Sequence, residues 1–147
     1  MSPQWNPFMA ACIFHDTTPA TRDRQLFEIV ERAYNRRENV LIFSQSKERA
    51  TALDRTLWIL KQEAFIPHKI VLEDRADTEV RVAIVFSEIN PIGAGTLIAD
   101  GHCSLDFACG FDSIHEFVNR SSAAAHQTCR DRFRDYRARQ IPVEYSK

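Results

Sequence analysis

The sequence predicts an α/β fold, a single-domain three-layer sandwich in which helices cover both faces of a mostly parallel sheet. Three observations carry that expectation. Val40-Leu41-Ile42-Phe43 is an apolar run with no polar alternation, the pattern of a strand covered on both faces. Residues 80–86 are rich in β-branched side chains and read as another interior strand. Stretches of helical periodicity separate the strand-like runs, and a chain that alternates strand and helix builds a parallel sheet. The 147 residues suffice for one core of this kind.

The elements follow in order. Cys12-Ile13-Phe14 is the first strand, and Thr17, Thr18 and Pro19 punctuate the loop after it. A helix begins near Thr21 with Leu26, Phe27, Val30, Ala33 and Tyr34 on one face, and the polar residues 35–39 end it. After the strand at 40–43, Ser44 and Ser46 are candidate N-caps. The helix they introduce has Ala50, Leu53, Leu57 and Leu60 as its inner face. Residues 80–86 and 96–99 are the next strands. Residues 114–118 alternate apolar and polar and are expected at a sheet edge. The last helix spans about 121–139, which gives the order β-α-β-α-β-β-β-α. The whole of 1–147 reads as one domain, with an N-terminal extension over 1–10 and a C-terminal tail over 140–147.

Charge and cysteine content narrow the function classes. Lys and Arg total 19 against 20 Asp and Glu, so no global field drives the chain onto nucleic acid. No apolar run approaches the roughly 20 residues that cross a bilayer, and the first ten residues lack the pattern of a signal peptide. A cytoplasmic protein without a membrane partner is expected. Cys12, Cys103, Cys109 and Cys129 do not have the spacing of a secreted disulfide scaffold. A metal reading through His102, Cys103, Cys109 and His115 fails the paired spacing of structural zinc sites. Buried reduced thiols are the better reading, and no cofactor is expected.

Enzymatic signatures are missing from the places where this fold class carries them. The 4 glycines, Gly93, Gly95, Gly101 and Gly110, all lie beyond the first two strands. A Rossmann or P-loop fingerprint needs glycines after those strands, where backbone N–H groups close on phosphate. The sheet is therefore expected to be Rossmann-like without a nucleotide-binding loop. Ser44 and Ser46 have no Gly-x-Ser-x-Gly elbow around them. His15-Asp16 follows the first strand but lacks an evident partner nucleophile. A non-catalytic protein is expected.

Two constellations remain. On the last helix Arg130, Phe133, Arg134 and Arg137 stand at i, i+3, i+4 and i+7 and share one face. A cationic stripe with an embedded aromatic suits a short acidic segment that carries an apolar anchor, since guanidinium groups pair with carboxylates through two hydrogen bonds. The alternative is a solvated face stitched to Asp131 and Asp135, with Phe133 in the core. The second constellation is Leu57-Trp58-Ile59-Leu60 followed by Phe65-Ile66-Pro67-His68. Trp58 lies about 100° or more off the Leu53, Leu57, Leu60 stripe. It is placed either to anchor a partner together with Phe65 or to close one end of the core.

At these residues the chain resembles the chi subunit family of DNA polymerase III. The matching pieces are Val40-Leu41-Ile42, Leu53-Asp54-x-x-Leu57-Trp58, Phe65-Ile66-Pro67-His68, Thr96-Leu97-Ile98-Ala99, Glu116-Phe117-Val118 and Arg130-Asp131-Arg132-Phe133-Arg134-x-Tyr136-Arg137. Their order and separations hold from about residue 11 to residue 139. The resemblance implies a nucleotide-binding-like fold without nucleotide chemistry, in a replication adaptor rather than a catalytic subunit. It implies two partners: the psi subunit, which ties chi to the clamp loader, and the acidic C-terminal tail of single-stranded-DNA-binding protein, whose last residue is Phe. A helicase-like repair protein is a further partner of the family. Carried onto this chain, the tail site is Arg130, Phe133, Arg134, Arg137 and His126, with Val118 nearby. The psi or helicase interface falls on Trp58, Phe65 and Pro67. The family often has Lys where His126 stands, and Tyr or Trp where Phe133 stands. Nucleic acid is then reached only indirectly. The competing reading is a direct nucleic-acid-binding module that uses the Arg-rich helix.

Overall fold

The computed structural model describes residues 10–60 and 65–147. Strand side chains alternate between two cores, which explains the unbroken apolar runs. In β2 (Val40–Phe43) and β4 (Val82–Val85), Val40, Ile42, Val82 and Ile84 enter one core, and Leu41, Phe43, Ala83 and Val85 enter the other. Helices α1 (Arg22–Asn35) and α2 (Lys47–Ile59) close the first core with Leu26, Phe27, Val30, Leu53 and Leu57. The short α3 (Leu105–Ala108) and α4 (Ala123–Ala138) close the second with Ala108, Tyr136 and the partly buried Phe133. The result is a three-layer α/β sandwich.

The remaining strands are β1 (Ala11–His15), β3 (Lys69–Ile70), β5 (Thr96–Ala99), β6 (Ser113–Phe117) and β7 (Val143–Ser146). The 7-stranded sheet has the order β3-β4-β2-β5-β6-β1-β7, and every pairing is parallel. Residue Thr21 precedes α1 as expected, and Ser46 caps α2 by accepting the Arg49 N–H at 3.1 Å. Ser44 is no cap; its hydroxyl donates to the carbonyls of Ser46 and Val85.

Two expectations are corrected. Residues 114–118 were expected at an edge, yet β6 lies inside the sheet between β5 and β1. Its two adjacent polar residues, His115 and Glu116, point to opposite faces of the sheet, and each has a protein partner in place of water. His115 meets His15 at 2.9 Å, and Glu116 meets Arg132. The C-terminal tail expected over 140–147 contains β7, which pairs with β1 from Cys12↔Val143 to His15↔Ser146. The N-terminal extension expected over 1–10 lies, but for Ala10, outside the described residues.

Candidate functional site

Helix α4 begins at Ser122, whose hydroxyl accepts the Ala125 N–H at 3.0 Å. That satisfies one of the donors a helix start leaves open. Its inward face carries Cys129, Arg132 and Tyr136, so an arginine is part of the packing face. Glu116 of β6, fully buried, receives it. Arg132 donates from Nη2 to Glu116 Oε2 at 2.5 Å and from Nη1 to the Cys103 carbonyl at 2.7 Å, while the Tyr136 hydroxyl donates to the same Oε2 at 2.6 Å. Burial alone would push the Glu116 carboxyl up, but hydrogen bonds from His102, Arg132 and Tyr136 outweigh it and hold it below the usual range. Arg132 and Tyr136 are one helical turn apart and converge on one carboxylate. That pins the rotation of α4 about its axis and turns the face 130, 133, 134, 137 outward.

The outward face borders a cleft of about 430 Å3. Phe14, Val118, Cys129 and Phe133 provide its apolar surface, and the Phe14 and Phe133 rings are 5.3 Å apart. His126, Arg130, Arg134 and Arg137 lie along the α4 side, while Arg120 and Tyr145 join them from the segment after β6 and from β7. All six residues of the tail site carried over from the resemblance therefore line one cleft. Arg134 is tied to Asp131 at 3.3 Å and to Asp135 at 3.2 Å. Among the described residues, His126, Arg130 and Arg137 make no ion pair. The solvated, stitched helix face thus describes Arg134 alone, and Phe133 is half-buried against the core while its cleft side stays open.

The second predicted constellation lies at the other edge of the sheet. Trp58 and Phe65 are 41% and 68% exposed, with ring centroids 5.3 Å apart. Neither closes the core. His68, buried, packs against Trp58 with ring centroids 4.2 Å apart and planes tilted by 31°, and its ring nitrogens lie 2.9 and 3.0 Å from the carbonyls of Ile66 and Asp54. These contacts fasten the half-buried Pro67 segment to α2. Ile59, next to Trp58, and Leu72, just past β3, are also exposed.

The other residues weighed for chemistry have separate partners. His15 pairs with His115, and the Asp16 carboxylate pairs with Arg120 at 3.3 Å, so the two do not act on each other. At the carboxyl ends of β2 and β5, where open α/β sheets hold ligands, Asp100 takes Arg22 at 3.0 Å and Arg49 at 2.9 Å. His102 lies against Cys129 and Glu116, which push it up to about 9. Among the described residues no group of three or more His, Cys, Asp or Glu side chains is arranged to hold a metal ion, and no helix is long and apolar enough to cross a membrane.

Sequence reasoning missed Phe14, Arg120, Cys129 and Tyr145 in the cleft, and the buried Arg132 beneath it. The signal for Arg132 was available: it falls on the Cys129–Tyr136 face of the helix, where a cation needs a buried carboxylate, and Glu116 supplies it. The family model described as DNA polymerase III chi subunit, HolC, matches residues 9–144. The chain is 29% identical over 126 residues to a protein of Pseudomonas aeruginosa named DNA polymerase III subunit chi, a match covering 86% of each chain.

Proposed function

Because the chain belongs to the DNA polymerase III chi subunit family, an accessory and not the polymerising subunit, we propose that it is a non-catalytic, cytoplasmic adaptor of DNA replication. In this reading the α4 cleft grips the acidic C-terminal tail of single-stranded-DNA-binding protein. The exposed Trp58–Phe65–Pro67 surface docks the psi subunit, and through it the clamp loader, with a helicase-like repair protein as a further partner.

One observation carries the tail reading. Arg130 borders an apolar cleft and, among the described residues, has no carboxylate partner. A peptide that ends in Phe offers an aromatic ring and a free carboxylate on one residue. Phe14, Val118 and Phe133 supply apolar wall for the ring, and Arg130 supplies the cation for the carboxylate. Arg137 and His126 attract the upstream acidic residues, each contributing ~1 kcal/mol or less and fading with salt, and Arg134 joins them only by loosening its pairs with Asp131 and Asp135.

The test is a double-mutant cycle. Arg130→Ala should cost roughly 2 kcal/mol, about 30-fold in affinity, against a much smaller loss for Arg137→Ala. Amidating the peptide C-terminus should cost a similar amount in the wild type and little more in Arg130→Ala. Additive losses would show that Arg130 does not read the carboxylate. Labelled single-stranded DNA titrated in parallel distinguishes the nucleic-acid reading, which requires tight, strongly salt-dependent binding without peptide.

A further inference from the structure

A second cleft, of about 540 Å3, opens at the carboxyl ends of β1, β6 and β7. Thr17, Thr18, Thr21, Asn119 and Ser121 bring uncharged polar groups to its lining, and Asp16, Arg22, Arg120 and Lys147 bring charged ones. It shares Val118 and Arg120 with the α4 cleft, so the two meet at these residues. We propose that Arg120 and this second cleft form a subsite for the acidic stretch of the same tail. The terminal aromatic and its carboxylate enter the α4 cleft, and the upstream carboxylates cross Arg120 toward Arg22. The inference rests on the tail reading and extends it to a surface that the α4 helix does not reach.

Three features select an anionic segment as the occupant. Arg120 is half exposed and is held from two sides: its Nη2 donates to the Tyr145 hydroxyl at 2.8 Å, and its Nη1 lies 3.3 Å from Asp16 Oδ1. Tyr145 orients the guanidinium without neutralising it. Asp16 shows that a carboxylate fits beside it, and it does so with one oxygen, where a guanidinium can pair with two. Arg22, on the far side of the cleft, is fixed by Asp100 through Nη2 and keeps about a quarter of its side chain exposed. Arg22 also opens α1, a 14-residue helix whose N-cap, Thr21, makes no side-chain capping hydrogen bond. The helix start adds partial positive charge to the same wall. A tail lying this way keeps its carboxylates near cations along both clefts.

The arrangement makes Asp16 an internal competitor, which gives the test opposite signs at neighbouring residues. Two peptides of about nine residues, roughly 30 Å when extended, are titrated against the full-length protein. Both end in Phe; one carries Asp residues upstream and the other carries Ser in their place. Arg120→Ala should weaken the Asp peptide by about five- to tenfold more than the Ser peptide at low salt. Asp16→Asn should tighten the Asp peptide about two- to threefold by releasing Arg120. Tyr145→Phe keeps the ring and removes only the hydroxyl that holds Arg120, and it should weaken the Asp peptide more than the Ser peptide. Thermal melts of each variant establish that the fold is retained. Equal loss for both peptides in Arg120→Ala would make Arg120 a wall of the first cleft and overturn the subsite. So would weaker binding in Asp16→Asn, which would make the Asp16–Arg120 pair structural. If wild type binds both peptides alike, the subsite falls while the reading of the α4 cleft stands on Arg130. If wild type binds neither, both fall.

Discussion

Burial pushes His115 down to about 3, and the neighbouring His15, Arg32 and Arg36 charges act in the same direction. His15, 2.9 Å away, is lowered too, mainly by burial. The hydrogen bond between the rings needs a lone pair on one of them, so the folded state favours neutral imidazoles. The sign follows from linkage. An unfolded His takes up its proton near 6.5 while His115 in the fold does not, so the unfolded chain binds more protons below 6.5 and stability falls as the pH drops. His102 behaves oppositely. Raised to about 9 by Cys129 and Glu116, it contributes stability that is present below about 6.5 and fades as the pH rises through 9. Its partial exposure keeps that contribution small. Between about pH 6.5 and 5, above the range where ordinary carboxylates titrate, the histidine pair should dominate the slope. Unfolding free energies from denaturant titrations over that window should fall with acid by at most about 1.4 kcal/mol per pH unit for each imidazole. The His115→Gln variant should show a shallower slope. An unchanged slope in that variant would remove His115 from the account.

Helices α1 and α4 end in the same way, and the ending matters for what α4 delivers. After α4 the Gln140 N–H donates to the Arg137 carbonyl at 2.9 Å and the Ile141 N–H to the Tyr136 carbonyl at 3.1 Å. After α1 the Arg37 and Glu38 N–H groups make the matching bonds to Tyr34 and Ala33. Both are Schellman motifs, and both place a residue other than Gly in the left-handed region, Arg37 and Gln140 each at φ 63. A left-handed non-Gly residue costs roughly 1–2 kcal/mol, and Gly returns about 0.5–1 of that through its looser unfolded chain. Gln140→Gly should therefore raise stability by about 0.5–1 kcal/mol, read as a higher denaturant midpoint at constant m-value. A loss of stability would show that the Gln140 side chain, not the turn, holds the junction. With no Gly at either position, the sequence carried no stop signal of the usual kind, yet the polar run 35–39 still marked the end of α1. Past α4, Val143-Glu144-Tyr145-Ser146 is too short and too polar to announce a strand, and it becomes β7 only because β1 offers it an open edge. The lysine and isoleucine of β3 went unread for the same reason, since β4 decides that pairing.

Across the whole molecule, legibility followed how locally a feature is encoded. Runs such as Val40–Phe43 declare themselves because both faces are covered by apolar layers. The stripe of Arg130, Phe133, Arg134 and Arg137 is legible because helical spacing alone puts it on one face. The opposite wall of its cleft comes from β1, the segment after β6, and β7, so Phe14, Arg120 and Tyr145 join it only through tertiary pairing. The sheet order also fixes how the two proposed surfaces relate. Trp58 and Phe65 adjoin β3 on the α1–α2 layer, whereas the α4 cleft adjoins β1 and β7 on the other layer. From β3 to β7 the 7-stranded sheet has six spacings, roughly 29 Å at about 4.8 Å each. That is several times the Debye length of about 8 Å at physiological salt, so charge on a bound tail does not reach the aromatic pair. Each surface is packed on its own core, with the sheet between them. Occupation of one should therefore leave the other unchanged, which the proposed role of holding two partners at once requires. Titrating the psi subunit into the protein with and without saturating tail peptide should give the same affinity within about twofold, because coupling needs a two-state element that both ligands bias. Trp58→Ala should abolish most of the psi affinity and leave the peptide affinity in place, and Arg130→Ala should do the reverse. A coupling of about tenfold or more, some 1.4 kcal/mol, would mean that the sheet transmits a shift between its faces, and the picture of two independent docking surfaces would have to be given up.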